Sequence, residues 1–395
     1  MLRMIALHKT NRLWQSAALL LVIQSAAAQS LPFEAHTLAT DLAGGYQVIA
    51  CDLNHDSKLD LIALASNMTD LVWFENSTWQ RHTIATNLSH MINLAAWDVD
   101  GDGIPEIALA YGFSMNAARS AGNVVILHHD GDPRRLWTIK PIDKLPTSHR
   151  LRWADIDGSG HNVLINAPLT AADSHPPDFR GHVPLVYYRP GAWKRELIGD
   201  AEQGIVHGIY VTDWDHNGHD RILIGSFLGI HLYRHSANGE WSRTEIAKGD
   251  PDPWPKSGTS DIAVGTLKKE RFLATIEPWH GNEVVIYRQD GSQWRREVID
   301  RSLLNGHTIV TADFDGDGDD EVVAGFRGKP YGVYIYKFDG SHWNRQVLDL
   351  GGMSAAACTV ADLDGDGRPD IACIGSATHN LKWYRNTSHL DANAR

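Results

Sequence analysis

Short apolar runs alternate along this chain with tight polar loops, and the alternation repeats. Runs rich in β-branched and aromatic residues stand at LVWF 71–74, VVIL 124–127, LVYY 185–188, IHLY 230–233, VVIY 284–287, VYIY 333–336 and LKWY 381–384. Such runs, bounded by Gly, Asn and Asp, read as strands. A further strand led by Trp follows six of them, at Trp79, Trp137, Trp193, Trp241, Trp294 and Trp343. A basic residue usually stands two places after the Trp.

The loop before each run has its own signature. Four read Asp-x-Asn/Asp-x-Asp-x-x-x-Asp/Glu: Asp52-Asn54-Asp56-Asp60, Asp98-Asp100-Asp102-Glu106, Asp313-Asp315-Asp317-Glu321 and Asp362-Asp364-Asp366-Asp370. Carboxylates at alternate positions of a tight loop converge on one point, as a hard cation requires. These loops are expected to hold structural Ca2+. Two degenerate copies, Asp155-Asp157-Ser159 and Asp213-Asp215-Asn217, have Val163 and Arg221 at the closing position. A fifth unit, TSDIAVGTLKKERFLATIEP, keeps the strands without the acids.

Seven units of four strands each predict an all-β, seven-bladed β-propeller over residues 29–386. The last unit stops after Tyr384, and FEAHTLAT at 33–40 copies WQRHTIAT at 79–86. The N-terminal strand is therefore expected to complete the last blade and close the ring, leaving no long edge.

Composition narrows the partners. The formal net charge is −12, and a basic leader with Arg3, Lys9 and Arg12 raises it from that of the mature chain. An acidic protein argues against nucleic acid and anionic membrane. Residues 1–28 read as a signal peptide: a basic start, the apolar stretch Ser16–Ile23, then Ala26-Ala27-Ala28 as an A-x-A cleavage site. That stretch is too short for a membrane span. The protein is expected to be exported, to a periplasm or the outside, with residues 387–395 as a tail. Cys51, Cys358 and Cys373 all fall in predicted strands and are expected as buried free thiols, since an odd count is no disulfide framework.

Each inner strand ends at its Asp loop, so counting back six residues reaches its other end, about 20 Å away. Those positions are Tyr46, Ile92, His149, His207, Asp261, His307 and Ala356. Four neighbouring blades thus place His, His, Asp and His at one level of the central channel. Loops between second and third strands open on the same face. They bring Glu277, Trp279, His280 and Asn282 from the fifth blade, Arg327 from the sixth and His379 from the seventh; Arg150 follows His149. The result is a cationic, imidazole-rich mouth with Trp279 and Tyr46 as flat apolar surfaces for sugar rings. It suits an anionic or carbonyl-bearing carbohydrate.

The loops resemble the FG-GAP or VCBS repeat class. SHRLRWADIDG at 148–158, HGIYVTDWD at 207–215, ATIEPWHGNEVVIY at 274–287 and GHTIVTADFDGDGDDEVVAGFRG at 306–328 resemble the propeller domain of aldos-2-ulose dehydratase, a relative of the rhamnosyl-glucuronate lyases. The resemblance implies elimination from a sugar with an acidic proton beside a carbonyl or carboxylate. His207 or His307 would then serve as base and His280 as acid or metal ligand. Arg150 and Arg327 would clamp a carboxylate or enolate. Tyr46, Asp261, Glu277, Trp279, Asn282 and His379 would contact substrate. Should the mouth hold a metal, Zn2+ on His149, His207, His307 and Asp261 is the natural set. Two other classes stay open: a non-catalytic glycan- or protein-binding propeller, and a glycoside hydrolase, which would need two carboxylates flanking the bond.

Overall fold

The computed structural model describes residues 30–388. The leader expected over residues 1–28 and most of the expected tail lie outside the described residues. Twenty-eight strands, numbered β1–β28 in chain order, form seven four-stranded antiparallel sheets. Six sheets are runs of four consecutive strands, the first over residues 45–85 and the sixth over residues 306–350. The seventh has the order β1-β28-β27-β26. There β1 (Phe33–Ala39) lies antiparallel to β28 (Leu381–Asn386), with Phe33 opposite Asn386. Among the described residues no helix is long and apolar enough to cross a membrane.

The inner strands are β2 (Gly45–Cys51), β6 (Asn93–Trp97), β10 (Ser148–Ala154), β14 (Val206–Thr212), β18 (Ile262–Leu267), β22 (Gly306–Ala312) and β26 (Ala355–Ala361). Second and third strands of the blades are almost wholly apolar and buried, as in β15 (Arg221–Ser226) and β23 (Glu321–Phe326). Facing sheets bury both sides of those strands, which is why they read as continuous hydrophobic runs.

In four blades the basic residue two places after the leading Trp has a structural purpose. Arg195, Arg243, Arg296 and Arg345 reach Asp143, Glu202, Glu277 and Asp300. The same four carboxylates accept the hydroxyls of Tyr188, Tyr233, Tyr287 and Tyr336 at 2.6–2.8 Å. Those tyrosines end the apolar runs of the third strands, so the tyrosine's polar tip is satisfied while its ring fills the core. Three of the four carboxylates, Asp143, Glu202 and Asp300, come from the last strand of the preceding blade, which ties neighbours together. The carboxylates of Glu202 and Glu277 are fully buried, so stripping a partner from either costs about 1–3 kcal/mol.

The cysteines correct one expectation. Cys358 and Cys373 are paired neighbours on β26 and β27 (Asp370–Gly375), with Cα atoms 4.1 Å apart, and they form a disulfide. Cys51 alone is a free thiol. Strand register, invisible in the cysteine count, sets the two sulfurs opposite each other.

Candidate functional site

Tyr46, His149, His207, His307 and Ala356 each occupy the second position of an inner strand. Each is skipped in the pairing register with the next strand; Ser148 and Arg150, for example, pair with consecutive residues while His149 between them has no partner. A β-bulge frees one residue from the ladder and re-aims its side chain. Repeated in five blades, it turns these side chains toward one another at the end of the channel. Gly208, after His207, allows the close approach of the next blade: a Cβ there would stand 2.4 Å from the Ser260 carbonyl.

The imidazoles form a contiguous cluster. Ring centroids of His149 and His207 are 5.1 Å apart, His207 and His307 4.9 Å, His280 and His307 5.0 Å, and His207 and His280 5.2 Å. Tyr46 joins from blade one, its hydroxyl 2.9 Å from His149 Nε2 and its ring 5.4 Å from that of His307. Arg150 threads between two of them. Its Nη1 is 3.3 Å from His149 Nε2, its Nη2 3.2 Å from His207 Nε2, and its Nε donates to the His207 carbonyl. Arg327 Nη2 lies 3.4 Å from both ring nitrogens of His280. His149, His207 and His307 are each 1% exposed.

Burial sets the protonation states. Burial first and then the Arg150 charge hold His149 and His207 well below the usual imidazole range. For His280 and His307 the causes are burial and then Arg327. All four are neutral near pH 7, and the positive charge of the site resides on the guanidiniums. His307 Nδ1 lies 2.5 Å from the Ala356 carbonyl, so it carries the proton and Nε2 keeps a lone pair. That Nε2 has no hydrogen-bond partner, and neither has His149 Nδ1. His207, by contrast, has Ser260 Oγ at one nitrogen and Arg150 at the other.

Other expected site residues fall in different places. Trp279 stacks beside His280, centroids 4.4 Å apart. Asp261 stands just before β18 and accepts from the Ile309 amide; burial pushes its carboxyl up against the pull of Arg150 and Arg152. Glu277 is not in the cluster: it is wholly buried within blade five and held by Thr275, Tyr287 and Arg296. Asn282 donates to the Arg301 carbonyl, and His379 Nδ1 accepts from the Gly44 amide. Three residues the sequence reading did not single out join the site. Phe113 packs on His149, while Phe179 and Phe227 pack on Trp279. Phe113 and Phe227 leave only the trace of a large apolar residue shortly after a second strand, and Phe179 lies within the long polar loop of blade three.

Tyr46, Arg150, Asp261 and His307 also line one end of a channel cavity of about 710 Å³. It follows the inner strands toward Trp97, Asn162 and Asp220 near the Asp loops. The donor sets of those loops fit a hard cation. Asp98 accepts two backbone amides of its own turn, and Asp313 and Asp362 accept three each. Oxygens of Asp98-Asp100-Glu106, Asp313-Asp315-Glu321 and Asp362-Asp364-Asp370 lie within 4.8 Å of one another. Each closing acid also accepts the amide that follows the first Asp, at Leu53, Val99, Phe314 or Leu363. At the mouth, the nitrogens brought within 4.8 Å are those of His207, His280 and His307, with both His149 and Asp261 of the expected metal set outside the group.

Comparison with known proteins follows the same outline. Residues 121–290 match the beta-propeller domain of aldos-2-ulose dehydratase, and residues 52–109 and 313–373 match the FG-GAP-like repeat. The chain is thus similar to that propeller domain in its middle and to FG-GAP-like repeats on either side. Aldos-2-ulose dehydratase of Phanerodontia chrysosporium is 23% identical over 336 residues, 76% of this chain. The chain spans about a third (36%) of the length of that relative. Among solved structures, the rhamnogalacturonan lyase YesW superposes with TM-score 0.52 at 14% identity, covering 92% of this chain and 77% of that one. The exotype rhamnogalacturonan lyase YesX gives TM-score 0.52 at 13% identity, covering 88% and 73%. These two share the fold. The match to residues 121–290 covers His149, Arg150, His207, Asp261, Trp279 and His280 of the imidazole cluster and its surroundings.

Proposed function

We propose that this protein is an exported carbohydrate lyase or dehydratase that performs β-elimination on a keto- or uronic-acid-containing sugar at the imidazole cluster. The observation that carries the reading is the unpartnered Nε2 of buried, neutral His307 among three more imidazoles and two guanidiniums. A neutral imidazole with a free lone pair is a general base, and His307 has one where His207 does not. His307 Nε2 takes the proton α to the carbonyl or carboxylate. The electron pair left behind forms the C=C bond as the β C–O bond breaks. The departing oxygen takes the proton now held by the His307 imidazolium, which returns that imidazole to its neutral form, with His280 beside it to orient the leaving group. Arg150 and Arg327 hold the carboxylate or the enolate oxygen, where negative charge develops away from water.

A divalent cation on His207, His280 and His307 would supply Lewis-acid stabilisation of the same enolate. Two guanidiniums within 3.2–3.4 Å of those imidazoles oppose it and favour an anionic guest. The hydrolase alternative loses ground because Glu277, one of its two carboxylates, is engaged inside blade five. The leader pattern supports export. The test is ultraviolet detection of unsaturated product from purified protein and a panel of 2-keto, 3-keto and uronic-acid glycosides. Product with Arg327→Ala raising KM supports the reading. Oligosaccharide binding without product across the panel would make the protein a binding module, and product with added water but no double bond a hydrolase.

A further inference from the structure

The position that ends the apolar run of each third strand is followed by one side chain facing the Asp loop of its blade. In blades three, four, six and seven that residue is Arg189, Arg234, Lys337 and Arg385. Each forms an ion pair with its own loop. Lys337 Nζ reaches Asp315, Asp317 at 2.9 Å and Glu321 at 3.3 Å, so one ammonium touches three of the four acids. Arg385 Nε stands 2.5 Å from Asp364, and Arg368 pairs with Asp366. Arg234 and Arg221 both hold Asp215, and Arg189 lies 3.7 Å from Asp157. In blade one the residue is an acid, Glu75, which Arg134 and His82 pair.

Blade two differs from all of these. Its third strand β8 (Asn123–His128) ends in His128, and His129 follows. Among the described residues, no Lys or Arg pairs with Asp98, Asp100, Asp102 or Glu106; their ion-pair partners are the two imidazoles. His128 Nδ1 lies 2.9 Å from Glu106 Oε1 and 4.0 Å from Asp100 Oδ2. His129 is 3% exposed, and its Nδ1 accepts the Gly131 amide. Its Nε2 therefore bears the proton and is aimed into the loop, 3.2 Å from Asp102 Oδ2, without making a hydrogen bond. Donor atoms of Glu106, His128 and His129 lie within 4.8 Å of one another, and so do those of Asp98, Asp100 and Glu106.

We infer that the blade-two loop is a mixed nitrogen–oxygen metal site that takes a borderline divalent ion of the Zn2+ class in preference to Ca2+. Asp98, Asp100, Glu106 and His128 are the ligands, and His129 is a positioning residue that orients Asp102 from inside. An imidazole in the donor set shifts preference from hard cations, which take oxygen alone, toward Zn2+, Co2+ or Ni2+. Four acids with no permanent counter-charge supply the attraction. The blade-six loop, with the same acids, has Lys337 where the cation would sit. This inference stands independently of the proposed elimination.

The experiment is equilibrium dialysis of the full chain, stripped with chelator, against Zn2+ and Ca2+ separately. Co2+ absorption reports nitrogen ligation. His128 is half exposed, so His128→Gln leaves the fold intact by circular dichroism. The expected result is one tight Zn2+ equivalent, with a Co2+ spectrum, weakened roughly 10–100-fold or more by His128→Gln, the scale seen even for supporting groups around a metal. Glu106→Gln weakens it similarly, and His280→Gln leaves it unchanged. Lys337→Met adds a further divalent-cation equivalent in blade six. Zn2+ binding that survives His128→Gln but disappears with His280→Gln would place the ion at the imidazole cluster and overturn the assignment. Equal Ca2+ affinity in all four full loops, or no tight Zn2+ equivalent, would overturn it as well.

Discussion

The same seven inner strands carry opposite chemistry at their two ends. At one end the chain gathers nitrogen: four neutral imidazoles and two guanidiniums, nearly all buried, with no carboxylate in contact. At the other it gathers oxygen: loops of three or four acids, largely exposed, tied down by their own backbone amides. The nitrogen end leaves polar atoms unsatisfied, at His149 Nδ1, His307 Nε2 and Arg327 Nε. The oxygen end satisfies most of its charge locally, through amides, Lys337 and Arg385. Unmet polar groups in a buried place signal a guest, because leaving them so costs about 1–3 kcal/mol each. The contrast supports placing the proposed chemistry at the nitrogen end and support of the fold at the oxygen end.

The largest expected effect is on the nitrogen end. His307→Ala should lower turnover roughly a hundredfold or more, the usual scale for a general base. Its melting temperature after chelation should fall by as much as that of the parent. Unchanged turnover with the proven substrate would remove His307 from the mechanism. The pH profile sharpens the point. His307 and its neighbours lie well below the ordinary imidazole pKa in the fold, so they stay unprotonated as the pH drops through about 6.5. The acid limb of kcat/KM should therefore lie well below pH 6.5. Stability follows the same sign: the unfolded chain binds protons on these histidines first, so stability is full above about pH 6.5 and lost on acidification below it.

A smaller effect separates structural acids from chemical ones. Glu277→Gln should destabilise the protein by about 1–3 kcal/mol, since the Tyr287 hydroxyl and Arg296 lose a charged acceptor while Arg296 keeps Glu283. The surviving folded fraction should keep its kcat and KM. A specific loss of kcat at unchanged stability would return Glu277 to the site. This residue shows where sequence reading stops. Period, blade count and the level of His149, His207 and His307 were all legible, because strand length converts sequence spacing into height along the channel. Basic residues two places after Trp were visible too, but their partners were not. Arg296 and Glu277 meet within one blade, and Arg195 and Asp143 across two, through pairing that no local pattern encodes. Neither the bulge that re-aims each histidine nor the pairing of Cys358 with Cys373 can be counted, because both depend on register.

The smallest expected effect belongs to the oxygen end. A cation that binds only the folded chain stabilises it by about 2.7 kcal/mol at a hundred times its dissociation constant. In a domain of this size that is a shift of a few degrees, at about 2–4 °C per kcal/mol or less. Chelation should therefore lower the melting temperature modestly and leave the imidazole cluster, about 20 Å away along the strands, intact. The loss should be unequal. The full loops of blades one and two have acids without a permanent counter-charge, so Glu106→Gln should remove a large share of the chelation-sensitive part. Blade six already has an ammonium among its acids, so Glu321→Gln should change the chelator response little. Differential scanning fluorimetry of the two variants, with and without chelator and with Ca2+ or Zn2+ restored, reads the difference directly. Equal responses from the two loops would mean that Lys337 swings aside for a metal, and the contrast between the blades would collapse. A melt unchanged by proven metal loss would leave the backbone amides alone as the support of that end.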